Sequence, residues 1–285
     1  MLSLLLLSDT LSPTMKYVLI VIFFVGLAFV VLYKFYEYFE QLYAEKYKRP
    51  FYVHRYLFKK TLTKHQKSIL KNQVAFYNRL DSRQQQFFEH RVASFIKDKD
   101  FYGRKDFEIT DEVLVLVSST AVMLTFGFKE YLIELLTNIV VYPSEFYSKA
   151  NDAYHKGEFN PQFQTLVLSW EHFKAGYDIT NDKLNLGIHE FAHAIHLNSL
   201  HSETVSAVVF NDGFDELIQL LSENEPLRKE LIASKYFRDY AYTNQYEFLA
   251  VIFETFFETP TEFKQEFPHV YAKTKQMLNF NFAHY

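Results

Sequence analysis

The longest unbroken apolar run lies close to the start of the chain. Tyr17 to Tyr33 reads YVLIVIFFVGLAFVVLY and carries no charge. A run of this length is near the minimum needed to cross a bilayer as a helix, and tyrosines at both ends suit the two interfaces. It continues into Lys34-Phe35-Tyr36-Glu37-Tyr38 instead of the small residues of a cleavage site, so it reads as an anchor and not as a removed signal. Residues 1–16 form a tail before it. Met15-Lys16 would make a conventional start, which makes residues 1–14 an upstream extension. Residues 34–49 read as a polar helical extension or linker, and a soluble domain fills residues 50–285.

Within that domain the apolar positions mostly follow the helical period. Residues 62–98 show it through Leu70, Val74, Phe76, Tyr77 and Leu80. Asp111 to Thr125 is apolar with an Asp-Glu start, which suits a helix N-terminus. Asn138 to Pro143 and Thr165 to Trp170 read as two short strands, with a polar, hairpin-like connection over residues 148–160. Helices are predicted at about 183–200, 204–221, 225–234, 244–258 and 260–280. The fold class is therefore α+β: a mostly helical domain with a small sheet beside the helix at about 183–200, preceded by one transmembrane helix.

Composition sharpens this picture in three ways. Gly and Pro number only 7 each, which favours helices over a turn-rich β architecture. There is no cysteine, which excludes a disulfide framework and any thiolate-ligated zinc or iron–sulfur site. The net charge of −4 leaves no global basic field, so nucleic acid is not expected as a partner. Lys46, Lys48, Arg49, Arg55, Lys59, Lys60 and Lys64 crowd the C-terminal side of the apolar run, against Lys16 alone on the other. That asymmetry predicts a single-pass protein whose domain faces the cytoplasm.

The candidate chemistry sits at His189-Glu190-Phe191-Ala192-His193. On a helix the two histidines lie one turn apart and project together, so they can grip one zinc ion. Glu190 then stands beside the metal, where it can take a proton from an activated water and later hand it to a leaving amine. Chance alone would place this pattern in roughly 0.03 of chains with this composition. The bland reading, two histidines on a half-exposed helix face, is weakened by the apolar residues around them. A third ligand is required. The extended motif with a third histidine needs glycine at position 196 and histidine at 199; His196 and Ser199 stand there instead. A carboxylate from a later helix remains: Glu247 and Glu254, two turns apart on one face, with Glu203, Glu216 and Glu258 as weaker candidates. Spacing alone does not choose between them. His196 borders the motif face and reads as a supporting or hydrogen-bonded core group. The other histidines have no ligand-like spacing and read as surface or packing residues.

These residues resemble the zinc peptidases typified by Mlc titration factor A, relatives of the anthrax lethal factor catalytic domain. The resemblance is carried by Leu166 to Trp170, Asn185 to His193, Tyr240 to Val251 and, ahead of them, Ile139 to Phe146. It covers roughly residues 50–280. It implies a zincin-like fold, zinc (Zn2+) on His189, His193 and Glu247, and Glu190 as general base. It also implies that Tyr240, seven residues before Glu247, stabilises the reacting oxyanion. Aminopeptidase-type activity on peptide or protein substrates is the implied function, and a transcriptional regulator is an implied partner. The chain departs from the pattern at His196, where the family tends to carry aspartate, and in having an anchor. The resulting expectation is a membrane-anchored zinc metallopeptidase. Its rival is a binding protein that sequesters a regulator with little catalysis. An intact base at Glu190 favours the enzyme, since a binder has no use for one.

The charge asymmetry across the anchor is directly testable. A reporter active only outside the cytoplasm, fused after Tyr285, should stay silent, and a strong signal from it would reverse the orientation.

Overall fold

The computed structural model describes residues 12–148, 152–178 and 183–285. The 1–11 part of the N-terminal tail lies outside these. The first helix, α1 (Pro13–Tyr47), starts where the Ser12 side chain accepts a hydrogen bond from the Met15 amide and Pro13 occupies the first turn. Proline is tolerated there because its missing N–H has no helical partner to lose. The apolar stretch of α1 is not buried inside the protein. The helix does not stop at Tyr33. Residues 34–49, expected as extension or linker, are helical through Tyr47, and the helix ends at Lys48 in the left-handed conformation. This last part docks on the domain through buried Glu40 and Ala44. The Lys129 ammonium lies 2.6 Å from Glu40, and Lys48 reaches Asp212 at 2.8 Å.

The helical pattern over 62–98 resolves into three helices: α2 (Lys64–Gln73), α3 (Ala75–Arg79) and α4 (Ser82–Asp98). Thr63 with Gln66 and Asp81 with Gln84 form capping boxes that start α2 and α4, and Val74 takes an extended conformation between α2 and α3. A strand that the sequence pattern did not reveal follows, β1 (Asp100–Gly103). Then come α5 (Asp111–Leu124), capped by Thr110, and β2 (Asn138–Tyr142). The polar stretch over 148–160 is more than a connection. It holds part of the hairpin β3 (Phe146–Ser148) and β4 (Ala153–His155), and all of β5 (Gly157–Asn160); its residues 149–151 are outside the described ones. β6 (Thr165–Ser169) ends one residue before the predicted strand end, because Trp170 opens α6 (Trp170–Asp178).

β1, β2, β6 and β5 form one sheet in that order. The first three run parallel, and β5 is an antiparallel edge. Ile139, Val141, Leu166 and Leu168 are buried, alternating with half-buried neighbours, so one face of the sheet joins the core. The motif helix α7 (Leu186–Leu200) packs beside β5 and β6 and against α5 and α6. Gly187 permits the approach to α6, since a Cβ there would lie 2.5 Å from the Phe173 ring.

α8 (Val205–Glu223), α9 (Glu225–Ser234), a 3-10 turn (Asp239–Tyr242) and α10 (Gln245–Glu258) follow. The single helix expected over 260–280 is two, α11 (Pro260–Glu266) and α12 (Pro268–Met277). Pro268 disfavours helical conformation in the residue before it, and Phe267 accordingly breaks the run. The result is a mostly helical α+β domain with a small sheet.

Arg91 on α4 ties several of these pieces together. It is fully buried and has no carboxylate partner among the described residues. Its guanidinium donates to the carbonyls of Thr125 (2.8 Å), Phe128 (2.7 Å) and Val53 (3.1 Å) and to the Tyr56 hydroxyl. It thereby fastens the segment after α1 to the turn after α5. Arg91→Leu would strand these carbonyls in the core and should cost at least about 3 kcal/mol of stability. Thermal unfolding of the solubilised chain measures this, and a variant as stable as the parent would refute the clamp.

Candidate metal centre

α7 begins where it does because Asn185 caps it. The Asn185 side chain accepts from the Ile188 amide at 3.0 Å and donates to the Gly176 carbonyl at 2.8 Å. The helix therefore starts at Leu186 and not at 183. Its register brings His189 and His193 onto one face with their Nε2 atoms 3.2 Å apart. α10 is capped in the same manner by Asn244, whose Oδ1 accepts from the Tyr246 and Glu247 amides. Glu247 thus sits in the first turn of a helix whose next ten residues are all buried. Its Oε2 lies 3.1 Å from His189 Nε2 and 3.6 Å from His193 Nε2.

This triangle fits a metal ion. Tetrahedral zinc with bonds of about 2.0–2.2 Å spaces its ligands by roughly 3.3–3.6 Å, close to the three separations found. Glu247 Oε2 is buried, and no described donor meets it with hydrogen-bond geometry. Two imidazoles and a carboxylate are also the donor types that suit zinc. His189, His193 and Glu247 are the only such group among the described residues.

Glu254, the other carboxylate that spacing left open, approaches the opposite side of the same ring. His189 Nδ1 donates to its Oε1 at 2.7 Å, and the Asn185 amide donates to its Oε2 at 2.8 Å. Arg238 completes the arrangement, with Nη2 at 2.5 Å and Nη1 at 3.0 Å from the two oxygens. Two carboxylates two turns apart on α10 therefore hold one imidazole between them. Glu254 fixes the ring through Nδ1 and leaves Nε2 for the metal. Glu203, Glu216 and Glu258 stand outside the group; Glu216 is paired with Lys273.

Glu190 is buried at the foot of a cleft of about 530 Å³, also lined by Gly157, His155, His172, Arg238 and Tyr240. Burial, with the like charges of Glu247, Glu158 and Glu254, pushes its pKa up to about 7. β5 runs directly over it, and a Cβ on Gly157 would fall 2.6 Å from the Glu190 side chain. Tyr240 is half exposed, with its ring 5.9 Å from that of His189. Burial and the neighbouring Glu247 raise its pKa. His196 is buried against Phe214 and Tyr246, and neither ring nitrogen meets a hydrogen-bond partner among the described residues. It is a packing group, contrary to the expectation of a hydrogen-bonded one, and burial lowers its pKa. Arg238 and Gly157 were not singled out by the sequence, and His155 and His172, read there as surface or packing residues, line the cleft. Each is contributed by a segment distant from the motif, and only the fold assembles them.

An α+β domain in which a helix carrying two histidines faces a carboxylate from a second buried helix has the form of a metallopeptidase. The profile of the glucose-regulated metallopeptidase M90 family matches residues 48–279. The chain belongs to this family, which is that of Mlc titration factor A. It is also similar to an uncharacterized protein of Synechocystis sp., with 27% identity over 244 residues, covering 78% of this chain and 84% of that protein.

The charge state of His189 gives a test of the centre. Burial opposes its protonation, but the close approach of the Glu247 carboxylate, the hydrogen bond to Glu254 and the charge of the surrounding carboxylates outweigh this and lift its pKa to about 9. His193, depressed by burial and by His189 to about 4, is already neutral. A cation must displace the His189 proton, so raising the pH favours binding. Apparent affinity of the metal-free chain should rise about tenfold per pH unit from about 7 to about 9 and then level off. Chelator-competition titrations across that range measure the slope, and a flat profile would contradict the assignment.

Proposed function

We propose that this chain is a zinc-dependent peptidase, anchored by α1 with its domain on the cytoplasmic side, acting on peptides or exposed protein ends. The observation that carries it is the convergence of His189, His193 and Glu247 beside a buried carboxylate, Glu190, whose pKa lies near neutrality. Zinc on those three residues supplies Lewis acidity, which brings the ionisation of a water into the neutral range.

The chain's own groups do the rest. Glu190 accepts the proton of the attacking water and passes it to the leaving nitrogen, a task for which a pKa near the working pH is suited. The Tyr240 hydroxyl donates to the oxygen on which negative charge develops. Glu254 and Arg238 hold His189 in the tautomer and orientation that a ligand needs. The outer side of β5 pairs with no strand among the described residues, and its backbone runs past Glu190. A substrate in extended form can add to that edge through main-chain hydrogen bonds, which brings its carbonyl over the base. The same cleft would serve aminopeptidase-type cleavage of short substrates. A base at Glu190 supports catalysis over a role confined to sequestering a transcriptional regulator.

Three variants separate these roles. Glu190→Gln should keep about one zinc per chain and lose turnover, and Glu247→Ala should lose zinc and activity together. Tyr240→Phe should keep zinc and lower kcat by on the order of 10²-fold. Zinc content measured beside kcat on a peptide library decides the matter. Normal zinc in Glu247→Ala, or full turnover in Glu190→Gln, would overturn the scheme.

A further inference from the structure

The two most exposed large apolar side chains among the described residues are adjacent: Leu57 at 95% and Phe58 at 89%. Neither belongs to the anchor or to the cleft. They form the tip of a loop with basic residues on both sides, Arg55 before and Lys59-Lys60 after. Arg55 lies over the Tyr52 ring, and Lys59 lies over Phe87 and donates to Gln86; neither is paired with a carboxylate among the described residues.

The tip is exposed although its flanks are fastened. Arg91 donates to the Val53 carbonyl and the Tyr56 hydroxyl on one side, and the Lys60 amide donates to His90 Nδ1 at 2.7 Å on the other. The Tyr56 ring also packs on His90 at 4.1 Å. A loop held this way presents its apolar pair in a set place.

The path of the chain brings the segment that leads into this loop back along α1 toward its apolar run. After Tyr47 the chain reverses along α1. Phe51 stacks on Tyr43 at 4.3 Å and reaches Tyr36 at 6.4 Å. Tyr36 lies only about 5 Å along the helix axis beyond Tyr33, the end of the apolar run. Leu57 follows Phe51 by six residues, at most about 20 Å of chain. The tip is therefore within reach of the interfacial layer from which α1 emerges.

We propose that loop 55–60 is a second membrane contact, with Leu57 and Phe58 entering the headgroup boundary while Arg55, Lys59 and Lys60 meet anionic lipid headgroups. Apolar residues flanked by cations are the composition of interfacial anchors. The inference rests on α1 being a membrane span. Together, span and loop would fix the rotation of the domain on the bilayer, and with it the height of the cleft.

The chain has no cysteine, so single labels are unambiguous. Full-length Phe24→Cys, Phe58→Cys and Lys229→Cys proteins carry an environment-sensitive fluorophore and are reconstituted in nanodiscs with lipid-borne nitroxide quenchers. In discs of mixed neutral and anionic lipid, labels at positions 24 and 58 should be quenched, and the label at 229 should not. With neutral lipid alone, or with about 1 M salt, where the screening length falls to about 3 Å, quenching at 58 should drop several-fold and that at 24 should persist. Quenching at 24 with position 58 as unquenched as 229 would overturn the loop contact while leaving the span intact. Absence of quenching at 24 would overturn the span, and the loop contact with it. Shielding of 58 only when a second protein is added would reassign the loop to a protein partner.

Discussion

Glu254 is a carboxylate only 1% exposed, placed where α10, α7 and the turn before α7 meet. Burying such a group costs several kcal/mol unless its lone pairs are met. Here each oxygen receives two donors: Arg238 Nη2 and His189 Nδ1 on one, Arg238 Nη1 and the Asn185 amide on the other. The same set of bonds that makes the buried charge tolerable fixes the start of α7, the rotation of the His189 ring and the register of α10. Because Glu247 is two turns before Glu254 on α10, it is thereby directed at His189 Nε2. The candidate metal centre depends on this one satisfied carboxylate for the placing of two of its three ligands, His189 and Glu247.

The centre also carries an imbalance that the carboxylate network creates. Glu190, Glu247, Glu158 and Glu254 act on one another across a small buried volume, and the cationic groups facing them are Arg238 and a protonated His189. Without a cation the structure answers by raising the pKa of Glu190 and retaining a proton on His189. A divalent ion at the triangle would relieve the same repulsion and take that proton's place. The surroundings that raise the pKa of Glu190 and those that favour a metal are therefore one electrostatic arrangement.

Much of this could be read from the sequence, for identifiable reasons. The alternation in residues 138–142 and 165–169, the apolar run of α10 and the spacing of His189 and His193 are local patterns, and local patterns survive in one dimension. The elements that were missed lack them. β1 is only four residues long, and β5 sits in a polar stretch because an edge strand beside a cleft is only half buried. The helix breaks at Val74 and Phe267 arise from backbone conformations that the apolar period does not report. Spacing left Glu247 and Glu254 equivalent; they differ only in which nitrogen of His189 each faces, a matter of tertiary geometry. Arg238 carried no motif, and its role appears only once the buried charge of Glu254 is seen to need a partner.

The same reasoning applies to α1. A flexible linker after residue 33 would have left the domain free to tumble relative to the apolar stretch of α1. Instead α1 continues as one helix to Tyr47, and Glu40, buried on it, is matched by Lys129 of the domain at 2.6 Å. A buried carboxylate whose partner lies on another element makes separation of the two costly, because undocking leaves an uncompensated charge. Lys48, reaching Asp212 on α8, adds a second and more exposed point, screened by solvent and therefore weaker. α1 and the domain are thus tied together at two points, and the direction of the long apolar helix relative to the cleft becomes a property of the fold.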